Sequence, residues 1–223
     1  MNLLPYFPEP LEVTGNVAKS HYRVILFFIR SVSILHYGTI FLIWSLTTFL
    51  APFFTFPSAG WICLCSLISL SLSRTFFTGP LEAFISVIVF IPYIGSLGLY
   101  FYTLHLGGYP IWILGIATTT AFLYTFLCRE DFSFFGQFLF AFLATSIFIF
   151  AAFWLKILVP EQIRIAFILT AIYLFYYVYD LASILKRRRP NEILMAAFDL
   201  HRDVLNFLSY SIRVVQHWRK FRI

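Results

Sequence analysis

The chain has 223 residues, of which 61% are hydrophobic, 21% aromatic and only 12% charged. Soluble domains carry roughly 25% charged residues, so half that share excludes an ordinary soluble enzyme and points to an all-α, polytopic membrane helix bundle. The net charge of +6 collects in KRRR (186–189) and in the tail HWRKFRI (217–223), where basic runs report topology and contact with anionic headgroups rather than with nucleic acid.

Residues 1–22 mix Pro, Glu and Lys without an apolar period, which predicts a mobile N-terminal segment. A transmembrane domain is expected over 23–216 and a basic tail over 217–223. The start lacks a basic stretch followed by an apolar run, so the first span is expected to act as its own insertion signal. That span is predicted from about Ser31 to Phe54. A short second span opens at Trp61 and ends at Arg74. The third runs from about Leu81 to Leu104, with Pro92 expected to kink it and Gly95 and Gly98 expected to let a neighbouring helix approach closely. The fourth covers about Ile111 to Cys128, the fifth Phe134 to Leu155, and the sixth Ile163 to Leu185. A seventh helix begins after Pro190. Trp61, Trp112, Trp154 and Trp218 fall near predicted span ends, as an aromatic belt places them. If the spans alternate, Lys19, Arg23, Arg30, Arg74, Arg129 and the KRRR run share one side, which the positive-inside rule makes cytosolic. Seven full crossings put the basic tail on the other side, a conflict that the rule leaves open. Cys63, Cys65 and Cys128 make neither a metal spacing nor an even disulfide set.

The seventh helix holds the main anomaly. In NEILMAAFDLHRDVLNFLSYSIRVVQHW (191–218), Glu192, Asp199, Asp203, Asn206, Tyr210 and Arg213 share one face at 100° per residue. Arg202 flanks that stripe, and His201 lies on the apolar side. A charge at the bilayer centre costs at least ~2.5 kcal/mol, so the stripe must face other helices or water. This puts the seventh helix at the centre of the bundle. Asp199 and Arg202, spaced i, i+3, suit an internal ion pair.

The sixth span, AIYLFYYVYDLASIL (171–185), carries Asp180 on one face with Tyr173, Tyr176 and Tyr177, whose hydroxyls are suited to donate to it. Counting 1.5 Å per residue from the basic loop, Asp180 and Asp203 come within roughly 6 Å in depth on antiparallel neighbours. Two carboxylates in contact titrate as a unit, with one proton held strongly. Arg74 is the best-placed cation to oppose that protonation. His36 reads as a packed, hydrogen-bonded histidine, Glu82 as a carboxylate suited to a helix N-terminus, Arg129–Glu130–Asp131 as a solvated turn, and Lys186 to Arg189 as surface anchors.

YDLASIL (179–185), then AAFDLHRDVLNFL (196–208), together with CREDFSFFGQFLF (128–140), resemble in order and spacing the signature of the Bax inhibitor-1 family, also called the transmembrane Bax-inhibitor-motif family. The resemblance implies six transmembrane helices around a central seventh. It also implies a pH-sensitive calcium leak, Asp180 and Asp203 as the di-aspartyl pair, and Arg74 as the latch to the first aspartate. Eukaryotic and viral members oppose cell death, and bacterial members sit in the inner membrane, so the resemblance implies either that membrane or an ER/Golgi-type one. The chain departs from the family in having Leu181 and Ala182 after Tyr-Asp, and His201 and Arg202 before the second Asp. The added cation favours an ionised Asp203 and a shifted pH response.

The leading expectation is therefore a cation leak channel, not an enzyme. Asp180 and Asp203 sense protons and receive calcium as the transported ion, a hard cation that prefers carboxylate oxygen. Asp199, Arg202, Asn206 and Tyr176 are secondary pathway candidates. No cofactor is expected, and the partners are the lipid bilayer, Ca²⁺ or other cations and unidentified membrane proteins. A second reading is a non-conducting membrane regulator of stress or cell death. A third, an intramembrane aspartyl protease, is disfavoured because Leu200, His201 and Arg202 precede Asp203 where such enzymes carry Gly-x-Gly.

Overall fold

The computed structural model describes residues 13–49, 58–77 and 80–202, which form helices joined by turns. After a short 3-10 turn at Val17–Lys19 come α1 (Tyr22–Phe49), α2 (Ala59–Phe76), α3 (Pro80–Leu106), α4 (Trp112–Leu127), α5 (Phe134–Trp154) and α6 (Pro160–Arg187). A further helix, α7, is described over 193–202. Asp203, Asn206, Trp218 and the basic tail lie outside the described residues.

Helices α1, α3, α5 and α6 are long and apolar enough to cross a membrane, and two shorter apolar helices, Ala59–Ser73 and α4, accompany them. The exterior is apolar as well: Phe41, Ile91, Phe135, Ile147, Ile172 and Phe175 all face outward. Water penalises so much exposed apolar surface, whereas lipid matches it. The molecule is compatible with an integral membrane protein.

Local chemistry sets the helix ends. Ser133 caps α5 by accepting from the Gly136 N–H at 3.2 Å. Pro160 opens α6, and the Gln162 side chain accepts from the Val159 N–H at 3.1 Å. Gly108 ends α3 at φ 84°, a left-handed conformation that glycine adopts without a Cβ penalty. Arg188 terminates α6 in an extended conformation, two residues before Pro190, which cannot continue a helix. Across the bundle, Arg30 of α1 closes the end of α4. Its Nε donates to the Thr125 carbonyl at 2.9 Å and its Nη2 to the Arg129 carbonyl at 2.7 Å.

Helix α1 joins two halves, packing against α3 on one side and α4 on the other. The α2–α3 hairpin closes around Ile43, Leu70 and Tyr93. The larger core gathers Phe28 and Val32 of α1, Ala117 of α4, Ala141 of α5, Leu181 of α6 and Leu200 of α7. Gly98 serves as expected: a Cβ there would lie 3.2 Å from Leu46 Cβ, and the Gly98 carbonyl accepts from Thr47 Oγ1 at 3.0 Å. Gly95 differs, because a Cβ there meets nothing within 4 Å.

Two expectations about the N-terminal part are revised. Helix α1 starts at Tyr22 rather than near Ser31, so Arg23 and Arg30 are helical, and Arg30 is absorbed by the α4 cap. Residues 13–20, read as part of a mobile segment, pack along the end of α6. The Val13 N–H donates to the Lys186 carbonyl at 3.1 Å and the Val17 N–H to the Arg188 carbonyl at 3.0 Å, with Val17 and Asn16 buried. The α6 terminus leaves its last carbonyls without helical partners, and this strap supplies donors to two carbonyls at that end.

Candidate functional site

Residues 195–202 of α7 are buried without interruption. Asp199 is 0% and Arg202 1% exposed, so their charges must be satisfied inside the protein. They form the i, i+3 pair expected from the spacing. The pair is half of a larger ring that alternates acid and arginine. Arg188, from the α6–α7 turn, grips Asp199 with a fork, Nε to Oδ2 at 2.6 Å and Nη2 to Oδ1 at 3.1 Å. Glu82, from the first turn of α3, accepts from Arg202 Nη2 at 3.1 Å and from Arg188 Nη2 at 3.5 Å. Arg202 Nη1 also donates to the Leu70 carbonyl of α2 at 3.5 Å.

Two carboxylates and two guanidiniums therefore neutralise one another while joining α2, α3, the α6–α7 turn and α7. Planar guanidinium forks suit such bridging better than ammonium groups do. Burial works against the charge on Arg188, but its bonds to Asp199 outweigh this and hold its pKa above the ordinary arginine value.

Asp180, on α6, is buried and accepts from Arg187 Nη2 at 2.7 Å. The two residues stand seven apart, two turns along one face, and a helical arginine points back toward the N-terminus. The Tyr173 and Tyr177 hydroxyls, expected to serve Asp180, have other partners. Tyr177 OH pairs with Ser33 Oγ at 3.2 Å, and Tyr173 OH contacts Thr118 Oγ1 at 2.6 Å and His36 Nε2 at 3.2 Å. Tyr176 is half-buried. Arg74 is in the last turn of α2, and its side chain lies outside what the structure describes, as do Asp203 and Asn206. The predicted Asp180–Asp203 contact is thus outside the described residues too.

Glu82 and Arg188 were legible as charges but not as members of the site. Glu82 reads as an ordinary helix-start carboxylate, and it does lie in the first turn of α3, but it is buried and faces two arginines. Arg187 and Arg188 read as surface anchors, yet each is 8% exposed. The available signal was the chain reversal at Pro190, which turns Arg188 back toward the start of α7. His201, assigned to the apolar side of its helix, finds a polar partner there: His36 Nδ1 is 3.2 Å from His201 Nε2.

Among the described residues, no group of three or more His, Cys, Asp or Glu is arranged to hold a metal ion. No protein-family model, curated protein or solved structure matches this chain.

Proposed function

We propose that this chain is a pH-sensitive cation leak channel of the Bax inhibitor-1 type, with six helices around a central α7 and calcium as the transported ion. The observation that carries the reading is the unbroken burial of residues 195–202 with Asp199 and Arg202 enclosed. A helix that brings ionised groups into the interior of an apolar bundle is suited to an ion path, and ionisable groups inside spans are functional by default. The ring of Glu82, Arg188, Asp199 and Arg202 acts as the closed mouth at the basic, cytosolic end. Asp180, on α6, is held by Arg187, and Asp203 follows Arg202 in the chain. Deprotonated, Asp180 and Asp203 attract Ca²⁺ through carboxylate oxygen. Protonated, they lose that attraction.

The test is calcium flux into proteoliposomes across a pH series. Asp180→Asn and Asp203→Asn are expected to flatten the pH dependence, and Asp199→Asn to raise flux at every pH by loosening the ring. A wild-type flux no greater than that of protein-free liposomes would end the channel reading.

A second reading, a non-conducting membrane regulator, has its own support: the four ring charges balance, so the ring itself offers no net charge to an ion. That reading expects no flux from wild type or from Asp199→Asn, together with membrane-protein partners that co-purify and are lost when the 13–20 strap is removed.

A further inference from the structure

The strap at 13–20 and the four-charge ring meet on one stretch of backbone, the end of α6. The strap is an ordered element in its own right. The Asn16 N–H donates to the Val13 carbonyl at 3.2 Å and closes a β-turn. Gly15, third in that turn, holds φ 73°, a left-handed conformation for which glycine is preferred there. Asn16 then opens the 3-10 turn at Val17–Lys19, its side-chain oxygen accepting from the Lys19 N–H at 3.2 Å. These two turns present the Val13 and Val17 N–H groups to the Lys186 and Arg188 carbonyls, at 3.1 and 3.0 Å. The Val17 side chain, 0% exposed, joins the core that holds Leu181, Ile184, Leu185 and Leu200.

The same stretch of α6 carries the arginines that hold the buried acids. Arg187 donates to Asp180 at 2.7 Å. Arg188 forks Asp199 and reaches Glu82, and Glu192 lies 4.0 Å from its Nη1. Arg188 is therefore fixed at both ends, its carbonyl by Val17 and its guanidinium by α7 and α3. It stands outside the helix, with φ −126° and ψ 152°, so no helical bond secures that carbonyl. A guanidinium fork on a carboxylate depends on distance and angle. The strap fixes the backbone position from which this fork reaches Asp199.

We propose that the strap is the clasp of the ring. While Val17 holds the Arg188 carbonyl, Arg188 keeps Asp199 and Glu82 enclosed; when the strap lifts, Arg188 is released and water reaches the ring. The strap is the part that yields first. It is tied to α6 through backbone bonds at Val13 and Val17 and through the burial of Asn16 and Val17, while Thr14, Gly15, Ala18 and Lys19 are exposed. A short segment of this kind opens at lower cost than the packed helices beneath it. Coupling between two sites is reciprocal, so weakening the ring must also loosen the strap. The clasp goes beyond the channel reading and does not depend on ions crossing the protein.

Nitrogen-15 NMR of the full chain in lipid nanodiscs, labelled at arginine and valine, tests this through exchange with water. The Nε–H groups of Arg188 and Arg202 both donate to Asp199, and Arg188→Lys and Arg202→Lys identify their signals. Val17→Pro removes the N–H that holds Arg188. Asn16 is already extended, at ψ 161°, as the residue before proline must be, and position 17 opens its turn, where proline is tolerated. Both Nε–H groups are expected to exchange about tenfold faster, because the Arg188 carbonyl loses its partner. Gly15→Ala is the milder variant. A Cβ there meets nothing within 4 Å, so it acts through φ alone and should speed the same groups about tenfold. Gly15→Asn, which accepts positive φ more readily, should restore most of the protection. In the reverse direction, Asp199→Asn should speed exchange of the Val17 amide. Arg30 Nε–H, bound to the Thr125 carbonyl at the end of α4, is the control and should not change. Ring groups that stay protected in the strap variants would overturn the clasp. So would an Arg30 signal that speeds equally, or a Val17 amide that Asp199→Asn leaves untouched. Calcium has no part in this measurement, so its failure is distinct from failure of the flux test.

Discussion

The ring at the basic end and the imidazole–hydroxyl line near the middle are both enclosed, yet one is built from ions and the other from neutral groups. The ring joins Glu82, Arg188, Asp199 and Arg202 beside a helix terminus and a turn, where the arginine heads meet carboxylates. The line uses only groups that are uncharged at rest: Thr118, Tyr173, His36 and His201. An ion taken from water into an apolar interior loses several kcal/mol of hydration, and only a close counter-ion with further hydrogen bonds offsets it. The ring meets that requirement with charge-assisted bonds such as the 2.6 Å one from Arg188 Nε to Asp199 Oδ2. The line avoids the requirement at rest, and the energetic consequences of damage should differ accordingly.

The largest effect is expected when one ring charge is removed. Asp199→Leu leaves Glu82 as the one carboxylate that Arg188 and Arg202 share, with Glu192 4.0 Å from Arg188, and breaking a buried pair by removing one partner costs about 3–5 kcal/mol. Reversible unfolding in mixed micelles should register that loss. The double variant Asp199→Leu/Arg202→Met removes one charge of each sign and should recover at least half of it. Losses that simply add would mean that the ring is not a coupled unit.

Glu82→Gln sharpens the same contrast at smaller amplitude. Asp199 keeps both arginines, while Glu82 loses its charge but not its shape, so about 1.5–3 kcal/mol is expected, the range for hydrogen bonds to charged groups. A cost equal to that of Asp199→Leu would make Glu82, not Asp199, the hub of the ring.

The reach of the sequence follows the same division. Composition and apolar runs located every described helix to within a few residues except the start of α1, where Arg23 and Arg30 read as pre-membrane charges. Arg30 is tolerated in the helix because the carbonyls at the end of α4 receive it, a contact 95–99 residues away that no local pattern encodes. The Asp199–Arg202 pair was legible because helical spacing alone brings i and i+3 together. Glu82 and Arg188 were not, because their inclusion depends on how α3 and the α6–α7 turn meet α7. Tyr173 and Tyr177 were correctly placed on an inward face, but periodicity fixes the face and not the partner, and Ser33, His36 and Thr118 from other helices took the hydroxyls. The line of neutral groups was therefore invisible, since its members lie 55 to 165 residues apart.

The smallest effect isolates the neutral chemistry. Ser33 Oγ and Tyr177 OH pair inside the core at 3.2 Å, with no ion attached to either. Ser33→Ala or Tyr177→Phe alone should cost about 1 kcal/mol, the usual net value of a neutral hydrogen bond. The double variant should cost no more than the worse single one, because removing both hydroxyls leaves neither buried without a partner. Tyr177→Phe also keeps the ring stacked on His36, so this small loss would trace to the hydroxyl rather than to the aromatic face. If Ser33→Ala destabilises as strongly as Asp199→Leu, the distinction between ionic and neutral burial does not govern this bundle. Helix packing around α1 would then set both costs.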